Sequence, residues 1–342
     1  MKEIHLHTVS SASHLHIGES LGNSGRYFPE TKTVIITDEN VYKYHGDKFP
    51  PGMVIRLQPG ESSKKLEVVS GIYAQLIENE FDRGSFILGI GGGVVTDITG
   101  FIASTFLRGL PFGFVASTLL AQVDAAIGGK NGVNYEGYKN MIGVVRQPEF
   151  VICDAGLLGT LDPLEYRQGF AEVVKYGAIF DESLFSYLET SYMDALGGDP
   201  EVLERIIYKC VQGKCRVVQE DENDSGERRK LNFGHTFAHA FEKLFGISHG
   251  HAVSIGMVIA AQISANLGFI HQDSVKRLEA LLGCFGLPLQ HPGMSPEIYE
   301  VIKQDKKRGG DNISLILIDK IGNAIIKDVP LGDLKKWIDD LC

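Results

Sequence analysis

Hydrophobic residues in the first half of the chain alternate between short continuous runs and stripes at helical spacing. The runs predict buried strands at 33–38, 85–90, 112–116 and 150–153. Between them, 62–80 carries an apolar stripe typical of a helix, and 94–105 follows a glycine cluster as a second helix. Strands that alternate with helices indicate a parallel sheet covered on both faces. The first half is therefore predicted to be an α/β domain.

The pattern becomes long and helical from about Pro163 onward. Helices are predicted at 165–179, 182–188, 201–220, 236–245, 253–266 and 274–285, and the only predicted strand of this half is 314–318. We expect the domain boundary near 159–163. The predicted organisation is an α/β domain over 1–160 and a mainly α-helical domain over 161–342.

Composition narrows the class of protein. A chain of 342 residues, 44% hydrophobic and 22% charged, fits two globular domains. The net charge of −10 argues against a general nucleic-acid surface, although a local cluster of lysines and arginines can still bind a small anion. Five cysteines without a C-x-x-C pair fit a reducing compartment. With no apolar stretch typical of a signal peptide or a membrane span, a cytoplasmic location is expected.

A glycine cluster, GIGGGVVTD, runs from Gly89 to Asp97. A strand, a glycine cluster and a helix in succession can present backbone N–H groups and a positive helix end to a pyrophosphate. The cluster departs from the G-x-G-x-x-G fingerprint, so a plain tight turn is an equal alternative. Asp38 at a strand end could accept ribose hydroxyls or could simply cap the next helix.

Four histidines lie within 17 residues in LNFGHTFAHAFEKLFGISHGHAV. His235 and His239 are one helical turn apart and share a face. His249 and His251 follow a bend that can return the chain past that helix. A catalytic divalent ion typically has three protein ligands, and an oxygen ligand could come from Glu172, one turn before Lys175. The spacing favours a metal site and leaves its ligands open. The isolated histidines near the N-terminus are expected to be structural, namely His5, His7, His14 and His16.

Successive blocks of the chain resemble the 3-dehydroquinate synthases, in that family's order. They are GGGVVTDITGFIASTFLRGLPF, STLLAQVDAAIGGKNGVN, YKNMIGVVRQP, GFAEVVKYG, DENDSGERRKLNFGHTFAHA and HGHAVSIGM. The resemblance implies a Rossmann-like NAD domain followed by a helical domain, one divalent metal (zinc or cobalt), and a homodimer to which Arg108 contributes across the interface.

Site residues are implied by matching these blocks. The metal ligands would be Glu172, His235 and His249; His251 stands where the family has a glutamate, so the choice between His249 and His251 is left open. The NAD contacts would be Asp38, Glu61, Lys64, Gly92, Gly93, Val94, Asp97, Ser117, Thr118, Lys139 and Thr160.

Substrate contacts follow from the same matching. Lys214 and Arg228 would bind a carboxylate, and the phosphate would contact Lys130, Asn140, His239, Arg108 of the partner subunit, and Lys306 or Lys307. The residues that orient hydroxyls and move protons would be Asp124, Asn232 and His239, and Lys175 would stabilise a developing alkoxide.

The implied activity converts 3-deoxy-D-arabino-heptulosonate 7-phosphate to 3-dehydroquinate and phosphate, a step of the shikimate pathway and aromatic amino acid biosynthesis. It would proceed by transient oxidation by NAD, phosphate elimination, re-reduction and aldol closure. One alternative is a cyclase for sedoheptulose 7-phosphate or glucose 6-phosphate, which lack the carboxylate. Others are a polyol dehydrogenase of the glycerol dehydrogenase type and a degenerate, non-enzymatic homologue.

Overall fold

The computed structural model describes residues 1–9, 11–290, 297–305 and 311–341. Contacts divide the chain into two compact units. The first comprises Met1–Asp162 and Pro200–Asn223, and the second Pro163–Asp199 and Asp224–Cys342. The roles expected for 1–160 and 161–342 stay predictions.

The first unit is built around parallel strands. Its strands are β1 (Lys2–His7), β2 (Ala12–Ile17), β3 (Thr33–Asp38), β4 (Met53–Leu57), β5 (Phe86–Gly91), β6 (Phe112–Ala116), β7 (Lys130–Tyr135), β8 (Tyr138–Val145) and β9 (Phe150–Cys153). Its helices are α1 (Glu39–His45), α2 (Leu66–Glu78), α3 (Gly93–Thr105) and, from later in the chain, α6 (Pro200–Glu220).

Seven of these strands form one sheet in the order β1-β2-β9-β6-β5-β3-β4. All neighbours pair in parallel except β1 and β2, which form an antiparallel hairpin at one edge. The predicted α/β fold class is confirmed, as are the four predicted strands. β3, β5, β6 and β9 read as continuous apolar runs because both faces are buried.

The order of the strands in the sheet indicates where a ligand is expected to bind. The chain passes from β3 to β4 on one side and then returns across β3 to β5 on the other side. Thr37 near the end of β3 pairs with Ile90 near the end of β5. Open α/β sheets bind ligands at such a switch point, outside the carboxyl ends of the strands. Asp38 and the glycine cluster are therefore adjacent to the position where a ligand is expected.

The second unit is mainly helical, as predicted. Its helices are α4 (Pro163–Phe180), α5 (Glu182–Leu196), α7 (His235–Phe245), α8 (His249–Asn266), α9 (Gln272–Cys284), α10 (Glu297–Asp305) and α11 (Leu331–Leu341). The predicted strand is part of a hairpin of β10 (Asn312–Lys320) and β11 (Asn323–Pro330). α8 is buried over most of its length, yet no helix among the described residues is both long and apolar enough to cross a bilayer.

Helices α7 and α8 approach each other closely at a pair of glycines. A Cβ atom on Gly256 would lie 2.1 Å from the carbonyl oxygen of Gly234, which directly precedes α7 in a left-handed conformation (φ 80°). Only a residue without a side chain permits this approach. The contact therefore fixes the backbone from which His235 projects.

Replacing Gly256 by alanine is expected to lower the free energy of unfolding by about 1–3 kcal/mol, because the added methyl group must displace backbone. Urea unfolding followed by circular dichroism measures the change. Gly283→Ala is the matched control, since a Cβ on Gly283 in α9 meets nothing within 4 Å. Equal destabilisation by the two substitutions would show that the glycine contact has no special role.

Candidate functional site

Glu172 is the centre of a buried polar cluster in the second unit. It lies on α4 with its side chain fully excluded from solvent. Its Oε2 atom forms an ion pair with Lys175, one helical turn further along and also buried. Its Oε1 atom lies 3.5 Å from Nε2 of His235 and 3.4 Å from Nε2 of His249. The two oxygens thus face different partners.

The two histidines are turned so that their Nε2 atoms face Glu172. Nδ1 of His235 lies 3.2 Å from the carbonyl oxygen of Phe233, and Nδ1 of His249 lies 3.0 Å from Oε1 of Glu242. A carbonyl oxygen only accepts, so Nδ1 of His235 carries the hydrogen and Nε2 of the neutral ring has a free lone pair. Holding Nδ1 by an acceptor is the usual way in which proteins orient a metal-binding imidazole.

The imidazole rings of His235 and His249 differ in the direction of their pKa shifts. Burial and the charge of Lys175 lower the pKa of His235 to about 3, so that this ring is neutral at physiological pH. Burial acts in the same direction on His249, but hydrogen bonds and charge from Glu172 and Glu242 outweigh it and raise its pKa to about 9. The carboxylates of Glu172 and Glu242 therefore make the position of His249 favourable for a positive charge.

The donor set fits a tetrahedral divalent ion. One ligand atom from each of Glu172, His235 and His249 lies within 4.8 Å of the others. Zinc–ligand bonds of about 2.0–2.1 Å place neighbouring ligand atoms roughly 3.3 Å apart in a tetrahedron, close to the 3.4 and 3.5 Å found here. Two imidazoles and one carboxylate also match the ligand preference of zinc and cobalt.

Glu242 was missed at the sequence level, although a signal for it exists. His235, His239 and Glu242 occur at i, i+4 and i+7 on α7 and so share one face. The sequence pattern identifies the face but not the bond to His249, which begins the next helix.

Three other predicted residues of the second unit lie on α7 or on a turn that packs against α4. The His239 ring lies 5.7 Å from the His235 ring, between centroids. Arg228 and Asn232 belong to a short 3₁₀ turn, Glu227–Asn232, that packs against α4, and Arg228 is only 2% exposed. Lys306 and Lys307 lie outside the described residues.

The glycine cluster of the first unit forms a tight connection between β5 and α3. A Cβ atom on Gly92 would lie 2.8 Å from the methyl group of Thr118, and one on Gly91 would lie 2.5 Å from Val95. Ser117 is buried, donates its N–H to the Gly91 carbonyl at 2.9 Å, and its hydroxyl has no hydrogen-bond partner among the described residues. Val94 lies in the first turn of α3, next to Gly93.

A buried ion pair lies beside this connection. Lys64 pairs with Asp97 on α3, and burial raises the pKa of Asp97 to about 6 against the opposing charge of Lys64. Asn134 donates to Oε1 of Glu61 at 2.8 Å. These contacts bring the segment around Glu61 and Lys64 to α3.

The remaining predicted nucleotide contacts have local partners of their own. Asp38 caps α1 by accepting the N–H groups of Asn40 and Val41, both at 2.9 Å, so the capping alternative is realised. Burial raises its pKa. Thr118 accepts the N–H of Ala121 at 3.1 Å, Thr160 contacts Nε2 of His45 at 2.7 Å, and Lys139 lies exposed on β8.

The predicted substrate contacts of the first unit fall into a buried pair and an exposed set. Lys214 on α6 is 6% exposed, donates to the carbonyl oxygen of Asp124 at 2.5 Å, and forms an ion pair with its carboxylate. Asp124 belongs to a π-helical turn, Ala121–Ala125, a conformation frequent at functional sites. Three predicted contacts are exposed: Lys130, Asn140 and Arg108.

Comparison with known proteins gives consistent matches along the chain. A family model for the 3-dehydroquinate synthase N-terminal region matches residues 54–168, and one for the C-terminal region matches residues 169–308. The chain is 39% identical over 324 residues to the 3-dehydroquinate synthase of Halorhodospira halophila, covering 91% of each protein.

Two solved structures share the architecture over nearly the whole chain. One is a 2-deoxy-scyllo-inosose synthase complexed with carbaglucose-6-phosphate, NAD+ and Co2+, at 25% identity, a TM-score of 0.86 and 99% coverage of both chains. The other is the 2-epi-5-epi-valiolone synthase ValA of Streptomyces hygroscopicus with NAD+ and Zn2+, at 26% identity, a TM-score of 0.87 and 98% coverage of both. With both family models matched in succession and the curated relative aligned over 91% of each protein, the chain belongs to the 3-dehydroquinate synthase family.

Proposed function

We propose that the chain is a 3-dehydroquinate synthase, an NAD- and metal-dependent lyase that converts 3-deoxy-D-arabino-heptulosonate 7-phosphate to 3-dehydroquinate and phosphate. The observation that carries the proposal is the convergence of Glu172, His235 and His249 beside the buried Lys175. The 39% identity to a curated 3-dehydroquinate synthase supports the specific reaction over those of the two solved cyclases, at 25% and 26%.

Glu172, His235 and His249 are proposed to hold zinc or cobalt. The geometry supports His249 over His251 as the third ligand, because the candidate group among the described residues includes His249. When bound, the ion would act as a Lewis acid toward substrate hydroxyls. Glu242 would keep His249 in the tautomer that offers Nε2.

The residues predicted to be catalytic would position the substrate and move protons. Lys175, a buried ammonium group, would stabilise negative charge that develops on a substrate oxygen. His239 and Asn232 would orient hydroxyls, and the carboxylate of Asp124 would accept a hydroxyl proton or hydrogen bond. Enforced proximity within the site would favour closure of the carbocycle.

Binding of the anionic substrate is assigned to the cationic residues. Lys214 and Arg228 would bind its carboxylate, since an arginine fork matches a carboxylate in shape and charge. The phosphate is assigned to Lys130, Asn140, His239, Arg108 of the partner subunit, and Lys306 or Lys307.

NAD binding is assigned to the edge of the parallel sheet, and NAD would accept and then return one hydride in each turnover. Backbone amides at Gly92, Gly93 and Val94 would face its pyrophosphate at the start of α3. The buried hydroxyl of Ser117 offers a donor there, together with Thr118 and Lys139. The other assigned NAD contacts are Asp38, Glu61, Lys64, Asp97 and Thr160.

Assembly and location are part of the proposal. Leu107 and Arg108 both have positive φ angles, 48° and 71°, on an exposed turn. Such backbone costs of order 1–3 kcal/mol per residue and is concentrated at functional sites, which supports a role for Arg108 in a homodimer.

Residues 1–160 would bind NAD, and residues 161–342 would bind the metal and the substrate. Free Cys153, Cys210, Cys215 and Cys284 are compatible with the cytoplasm.

The proposed function predicts phosphate release from the heptulosonate phosphate without net accumulation of NADH. Phosphate assay and NADH absorbance, recorded on the same sample, test it, and a chelator should stop phosphate release until zinc or cobalt is restored. Stoichiometric NADH would indicate a polyol dehydrogenase. Turnover of sedoheptulose 7-phosphate or glucose 6-phosphate in place of the acidic substrate would indicate a different cyclase.

Replacing Gly92 by valine is expected to weaken NAD binding at least about tenfold, because the side chain would meet Thr118 and fill the space that backbone amides offer to the pyrophosphate. Isothermal titration with NAD measures the dissociation constant. Gly71→Val on α2 is the control, since a Cβ there meets nothing within 4 Å. Unchanged affinity in Gly92→Val would remove the glycine cluster from the NAD site.

A further inference from the structure

The first hairpin gathers on one face histidines that are isolated in the sequence. In the register of β1 and β2, His5 pairs with His14 and Glu3 pairs with His16. Alternate residues of a strand point to the same side, so His-x-His in β2 and Glu-x-His in β1 form one patch. The expectation that these histidines have separate structural roles does not account for this convergence.

Three of these side chains have the spacing of a metal site. Nδ1 of His5 lies 3.0 Å from Nδ1 of His14, which in turn lies 3.5 Å from Oε1 of Glu3. One ligand atom from each of the three lies within 4.8 Å of the others. Zinc–ligand bonds of about 2.0–2.1 Å require neighbouring ligand atoms roughly 3.3 Å apart. The distances of 3.0 and 3.5 Å are close to that requirement.

A fourth side chain provides an independent observation. His16 is 6% exposed, and its Nδ1 atom has no hydrogen-bond partner among the described residues. That atom is directed toward the cluster, 3.9 Å from Oε1 of Glu3, and its ring packs against Tyr27 with centroids 4.2 Å apart. A buried polar nitrogen whose nearest acceptor lies beyond hydrogen-bond distance is costly. A group held by Glu3 would lie within reach of this nitrogen and could meet its unsatisfied hydrogen-bonding capacity.

We propose that this hairpin cluster binds a divalent transition-metal ion, zinc foremost, through Glu3, His5 and His14, with His16 as the buried polar group beneath it. Imidazole ligands select zinc, nickel or copper over magnesium and calcium. The site uses no residue of the Glu172 centre and lies in the other unit. Because its ligands come from both strands, a bound ion cross-links β1 to β2 at the sheet edge and stabilises the folded hairpin.

Equilibrium dialysis of the full chain against Zn²⁺, followed by metal analysis, tests the proposal. The double variant His5→Gln/His14→Gln is expected to bind one equivalent of zinc fewer than the wild type, with at least about a 100-fold loss of affinity at the lost site. These side chains are exposed, so folding and phosphate release should be unchanged. The zinc bound at the Glu172 centre should remain.

His7→Gln is the matched control. His7 lies exposed on the same strand, next to His5, but is outside the ligand group. It should leave the zinc stoichiometry and both affinities within about twofold of the wild type. Equal stoichiometry for the wild type and the double variant would overturn the proposal, and a zinc loss in His7→Gln as large as in the double variant would overturn the assigned ligands.

Discussion

Replacing Glu172 by glutamine is expected to reduce phosphate release at least about 1,000-fold and to remove the bound metal. The amide keeps the volume of the side chain but loses the negative charge that balances a divalent ion. Loss of groups that merely support a metal ligand already costs about 10–100-fold in affinity or activity, and loss of a ligand itself should cost more. Phosphate release and metal analysis of the same preparation provide the measurements.

The same substitution should also destabilise the fold. Lys175 is 1% exposed and forms an ion pair with Glu172. Removing one partner of a buried ion pair typically costs 3–5 kcal/mol, because the other charge stays buried. Glu165→Gln, the same chemical change at an exposed position of α4, is the control and should affect neither stability nor activity. Full metal occupancy and activity in Glu172→Gln would remove Glu172 from the metal centre.

The parts of the fold that the sequence predicts are those with a strong hydrophobic period. β3, β6 and β9 were located to the residue because a strand buried on both faces is a continuous apolar run between polar ends. β1, β2, β4, β7, β8 and β11 were missed, because exposed or half-buried residues interrupt their apolar pattern and pairing with a neighbouring strand fixes their conformation.

In the candidate site, too, only the residues that share a local sequence pattern could be predicted to lie together. His235 and His239 could be grouped from sequence because a helix places residues four apart on one face. The approach of Glu172 to two histidines more than 60 positions away depends on tertiary packing of α4, α7 and α8. The contact of Glu242 with His249 depends on side-chain direction, which no local pattern encodes. The patch formed by Glu3 with His5 and His14 depends on strand register, which no local pattern encodes either.

Replacing Arg228 by lysine is expected to raise the KM for the heptulosonate phosphate about 30-fold, with a smaller change in kcat. Lysine keeps the charge but loses the two parallel donors that match a carboxylate, a difference of about 2 kcal/mol. An interaction lost equally from the ground state and the transition state appears in KM. Steady-state phosphate release at varied substrate concentration separates the two constants.

Arg229→Lys is the matched control, because it changes the neighbouring, less buried arginine of the same turn. Since Arg228 is 2% exposed, unfolding temperature and zinc content must equal those of the wild type before the KM is interpreted. Under that condition, a raised KM in Arg228→Lys alone assigns this guanidinium to the substrate carboxylate. An unchanged KM would show that the substrate carboxylate binds elsewhere. The charge of Arg228 would then no longer argue against a substrate without a carboxylate, such as sedoheptulose 7-phosphate.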